Sequence, residues 1–118
     1  MRSWMVAGLL AVGLWLQAPA TVAQGITAQP SDTSALASLC RASDRLFCYG
    51  YVTAAAQFYE AMVVHESIDP FVCPGREVSQ QEAVGLFLDW YAANAAEAGS
   101  EPAIDGLFRS WIAAFPCE

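Results

Sequence analysis

Four cysteines, Cys40, Cys48, Cys73 and Cys117, constrain this chain most, because they follow a leader that directs them to an oxidising compartment. The leader is legible in its residues: Arg2 supplies a positive charge, Trp4 to Leu16 an apolar stretch of 13 residues, and Ala18 to Ala23 a small-residue run with a cleavage point after Ala23. That stretch is shorter than the roughly 20 residues of a membrane-spanning helix. Residues 1–23 are therefore expected to be a signal peptide that is removed, leaving an exported, periplasmic protein with no membrane insertion. The surviving cysteines are even in number, which reads as two disulfides with three connectivities open. A domain of this size hides only about 60 to 65% of the surface its unfolded chain exposes, so such staples matter.

Removal of Arg2 leaves four arginines, no lysine and all 12 acidic residues, a net charge one unit more negative than the −7 of the full sequence. A field of that sign repels nucleic-acid phosphates and anionic headgroups and speeds encounter with a basic protein partner. It also serves solubility alone.

Residues 24–34 are polar and poor in apolar content, which predicts a flexible N-terminal segment, and residues 35–118 read as a single helical domain. A first helix begins at Asp32 or Ser34 and breaks at Ala42-Ser43-Asp44, where Asp44 is placed to cap the second. In that second helix Phe47, Tyr51, Ala55, Phe58, Tyr59 and Met62 recur at helical steps and predict the core face. Two prolines and a glycine between Ser67 and Gly75 predict a loop that carries Cys73. Ser79 with Glu82 forms a capping box for a third helix, with Val84, Phe87, Leu88, Tyr91 and Ala95 inward. Ser100 is expected to cap a fourth helix with Pro102 in its first turn, and Ile104, Leu107, Phe108, Trp111 and Phe115 are expected to face inward. Trp111 is expected in the core and Trp90 partly exposed. The fold class is all-α, a small bundle of about four helices with two disulfides.

The chemistry-bearing residues are few. His65 is the one histidine, and nothing around it marks a nucleophile, an orienting group or an oxyanion hole; its plain role is a cation near the negative end of a helix. The cysteine gaps hold 7, 24 and 43 residues, unlike the closely paired ligands of structural zinc, and no Cys-x-x-Cys exists for redox or haem chemistry. Glu97, Glu101 and Asp105 lie at a helix junction where solvated acids are ordinary. The chain is not expected to be an enzyme or to hold a cofactor or metal.

Three fragments, Cys48-Tyr49-Gly50-Tyr51-Val52, Cys73-Pro74 with Val78-Ser79-Gln80-Gln81, and Pro102-Ala103 leading to Ala114-Phe115-Pro116-Cys117, together resemble the Rap/Tai immunity proteins of type VI secretion. The resemblance runs from about Leu36 to Cys117. It implies a helical periplasmic protein, often a homodimer, that binds a cell-wall amidase injected by neighbouring bacteria and blocks its cleft as a stoichiometric inhibitor. One departure is visible: members of the family often carry a second glycine four residues after the first, and here Gly50 is followed by Ala54, which keeps a small residue for a tight helix contact. On this reading the junction with Glu97, Gly99, Ser100 and Glu101 is the candidate partner-binding loop; its plain alternative is a solvated connection.

For the cysteines, geometry favours Cys40 with Cys48 across the break at Ser43, and Cys73 with Cys117 tying the middle loop to the last helix. A competing function is a periplasmic stress or chaperone-like helical protein with no toxin partner, which would expose apolar surface to a dye at low pH.

Overall fold

The computed structural model describes residues 29–118; the expected signal peptide, residues 1–23, lies outside the described residues. Four helices follow in order: α1 Thr33–Arg41, α2 Leu46–Val64, α3 Gln80–Ala98 and α4 Ala103–Ala114. The described residues contain no strand, only an isolated bridge between Asp32 and Pro102. α1 and α3 each pack against the other three helices, and the core between them is built on Leu36, Val52, Val84, Phe87 and Leu107.

The helix starts follow from local chemistry. Asp32 caps α1, its Oδ1 accepting from the Ala35 N–H at 2.8 Å and the Ser34 hydroxyl at 2.7 Å, and these bonds hold its carboxyl below the usual range. Ser79 caps α3 by accepting from the Glu82 N–H at 3.1 Å, as the capping-box pattern predicts. At α2 the Asp44 carboxylate accepts from the Leu46 N–H at 3.0 Å, while the cap position itself is Arg45. α2 ends with Glu66 at φ 53, the Glu66 N–H reaching Val63 O and the Ser67 N–H reaching Met62 O. That is a Schellman ending with a glutamate where glycine is usual.

α1 opens where the sequence predicts, with Asp32 as its cap. Thr33, which also falls within the expected flexible segment, is wholly buried, and residues 24–28 of that segment lie outside the described residues. The Thr33 N–H donates to Glu101 O at 2.9 Å and its hydroxyl to Glu101 O and Pro102 O at 3.0 and 3.2 Å, while the Ser34 N–H donates to Gly99 O at 3.0 Å. Polar side chains that satisfy a buried backbone do not need apolar mass to become fixed. One expectation is corrected at this junction: the cap position of α4 is Pro102, with no side-chain cap bond, and not Ser100. Pro102 has φ −50 and ψ 139, outside the helical region, and its carbonyl accepts the first helical bond, from the Gly106 N–H at 3.2 Å, so α4 begins at Ala103.

A second correction concerns α2. Its buried residues are Cys48, Val52 and Ala55, whereas Phe47 and Phe58, expected inward, are 51% and 67% exposed. The Cys40–Cys48 bond, with Cα atoms 4.9 Å apart and both cysteines in the core, fixes the rotation of the helix. In α4, Leu107 and Trp111 are buried, Phe108 and Phe115 half-buried, and Ile104 is exposed. Trp90 is half-buried.

Candidate partner-binding surfaces

The junction between α3 and α4 places its four candidate residues in two different settings. Glu97 and Ser100 are exposed to solvent. Gly99 and Glu101 are half-buried, and their carbonyls hold the start of α1. The Glu101 carboxylate pairs with Arg109, whose guanidinium also lies 5.3 Å from the Trp90 ring. The junction is therefore a hydrogen-bonded seam that presents Glu97 and Ser100 on a fixed backbone.

A second surface surrounds residues 66–79. Of the three possible connectivities the structure has Cys40–Cys48 and Cys73–Cys117. The two bonds differ in setting, since Cys73 is exposed and Cys117 half-buried. The Cys73 N–H also donates to Phe115 O at 2.8 Å, doubling the tie between loop and chain end. Tyr59 of α2 clamps the same loop: its hydroxyl accepts from the Phe71 and Val72 N–H groups at 2.9 and 3.0 Å and lies 3.3 Å from Val72 O, to which it donates. The Tyr59, Phe71, Phe108 and Trp111 rings pack edge-on or tilted, with centroids 4.7 to 5.7 Å apart. Gln80 binds Tyr49 O and the Thr53 hydroxyl, and Arg76 pairs with Glu82, which drives the carboxyl down and the guanidinium up. Beneath this loop lies an apolar cavity of about 170 Å³ lined by Ala56, Tyr59, Val72, Val78, Trp111 and Phe115 among others.

The third surface is the outer side of α2. Phe47, Gly50, Ala54, Phe58 and Ala61 are all exposed, and at 100° per residue they form one stripe on the side away from Cys48 and Val52. Nothing lies within 4 Å of a Cβ placed on Gly50, so the small-residue pair Gly50 and Ala54 makes no tight helix contact among the described residues.

His65 is an exposed C-cap of α2, and among the described residues no three His, Cys, Asp or Glu side chains gather to hold a metal. From the sequence the junction was a candidate and Cys73 was placed in the loop, and the Tyr59 clamp and the cavity were missed. The signal for the clamp was present: a tyrosine on a core-facing stripe needs a partner for its hydroxyl, and a loop with free N–H groups supplies one.

A family model described as Rap1a immunity proteins matches residues 32–117. None of the curated proteins and none of the solved structures matches the chain.

Proposed function

We propose, from the premise that the chain belongs to the family of Rap1a immunity proteins, that it is a periplasmic antidote to a cell-wall amidase delivered by type VI secretion. It acts by stoichiometric occlusion of the enzyme's cleft and is not a catalyst. The observation that carries this reading is the family match, which takes in all four helices and all four cysteines. Two disulfides in a small helical domain fit an oxidising compartment, and an acidic chain without lysine fits a basic partner. Of the junction residues, Glu97 and Ser100 are proposed as contacts with the partner, and Gly99 and Glu101 as the residues that position them.

The proposal includes a homodimer through α2. An antiparallel pair crossing at Ala54 sets Phe58 over Gly50 of the second copy and Phe47 over Ala61 of the second copy, large against small on both sides of the two-fold axis.

The test is titration of purified type VI amidases with residues 24–118 while following release of peptidoglycan fragments. Loss of turnover at a one-to-one ratio is expected; no inhibition of any amidase, together with dye binding to the acidified protein, would favour the chaperone-like alternative.

A further inference from the structure

We infer that the cavity beneath residues 66–79 is a preformed socket for one apolar side chain, aromatic or branched aliphatic, that the partner presents next to basic residues. The inference rests on the proposed function for the source of that side chain. Its volume, about 170 Å³, is close to that of enclosed engineered apolar cavities of about 150 Å³ that bind benzene, and unlike those it is open to solvent on one side, which gives a partner's side chain a way in.

The polar atoms of the wall are already used. The Tyr59 hydroxyl is committed to Phe71 and Val72, and the Trp111 indole N–H donates to Ala83 O at 3.2 Å. A water molecule entering would find few of the two to four partners it needs, so the site favours an apolar group over water. The walls are fixed before binding by the Cys73–Cys117 bond, by the Cys73 N–H to Phe115 O bond and by Arg76, whose guanidinium lies 5.6 Å from the Phe115 ring. Preorganisation of this kind lowers the ordering cost of association.

The charge around the mouth selects the neighbours of that side chain. A neighbouring groove lined by Thr53, Gln57 and Glu60 shares Ala56, Val78 and Ala83 with the cavity, and Glu77 precedes Val78. Glu60 and Glu77 are exposed and neither belongs to an ion pair among the described residues. An apolar residue flanked by lysine or arginine satisfies floor and rim together.

The test uses the disulfide-bonded protein, with benzene as probe in an amide-shift titration, and the amidase found by inhibition. Ala56→Leu puts a branched side chain into the mouth at an exposed helix position, and Ala96→Leu on the open side of α3 is the control. Saturable shifts around Ala56, Ala83 and Trp111, abolished in Ala56→Leu and kept in Ala96→Leu, are expected, with at least about tenfold weaker amidase binding by Ala56→Leu, a loss of 1.4 kcal/mol. Absence of saturable benzene shifts in the wild type overturns the socket. Equal amidase binding by wild type and Ala56→Leu overturns the socket's role while the immunity reading stands. Failure of the wild type to bind any amidase overturns that reading, and the partner assignment with it.

Discussion

The two sides of α2 carry comparable apolar residues and meet different fates. One side gives Cys48, Val52 and Ala55 to the core and Tyr59 to the loop clamp; the other leaves Phe47 and Phe58 largely exposed around Gly50 and Ala54. A helix that is apolar all round has no inner face written into its hydropathy. Here a covalent bond makes the choice, because Cys48 must meet Cys40 of α1. The exposed side is then a stripe of apolar surface of the kind that soluble proteins keep for partners.

Removing that bond is the hardest test of the comparison. Cys40→Ala with Cys48→Ala releases a short loop, worth about 2.5 kcal/mol on the chain-entropy account, and empties two sulfur positions in the core, so a total loss of about 3 to 4 kcal/mol is expected in urea unfolding. A loss below about 1 kcal/mol would mean that packing alone orients α2.

Next in size is the contrast between single residues. Val52→Ala removes two buried methyl groups and is expected to cost about 2 kcal/mol. Phe58→Ala deletes a far larger side chain and is expected to change monomer stability by no more than about 0.5 kcal/mol, while sedimentation is expected to show loss of the proposed dimer. Equal costs for the two substitutions would erase the distinction between the faces.

Much of the fold was legible because its signals were local. Ser79 with Glu82 marked the start of α3, Pro70, Pro74 and Gly75 marked the loop, and α3 and α4 placed Val84, Phe87, Tyr91, Leu107 and Trp111 in the core as their spacing predicts, whereas Ala95 and Ile104, expected inward on the same spacing, are exposed at the ends of their stripes. The errors arose where distant residues decided. Phe47 and Phe58 matched the helical period as well as Val52 did, and only the Cys40–Cys48 bond separates the two stripes. Thr33 sits in a polar stretch, yet its hydroxyl and N–H meet carbonyls nearly 70 positions away, and no local pattern encodes that seam. Gly106 belongs to the same seam, since a Cβ there would overlap the Thr33 side chain. The candidate junction was found as a run of acid and glycine; the division of its residues into Glu97 and Ser100 outside, Gly99 and Glu101 inside, required the position of α1. The cavity left no mark in the sequence because its walls come from α2, the loop, α3, α4 and the chain after it.

The smallest expected effect lies at the edge between the two sides of α2. Tyr51 is half-buried, and burial, with the negative charge of Asp105 on α4 as a second cause, raises its pKa above the model-compound value of 10.0. A phenol whose folded pKa is raised keeps its proton longer in the folded state than in the unfolded one. Stability is therefore unaffected by this group below pH 10 and falls as the pH rises from there through the folded pKa. The sequence has no lysine to obscure that window. Tyr51→Phe is expected to flatten the alkaline fall in melting temperature between pH 10 and 11 and to leave it unchanged at pH 7. Asp105→Asn is expected to flatten it only in part, because burial is the larger cause. If Tyr51→Phe leaves the alkaline fall intact, Tyr51 belongs with the open side of α2, and the boundary between the two sides lies nearer the core than the structure places it.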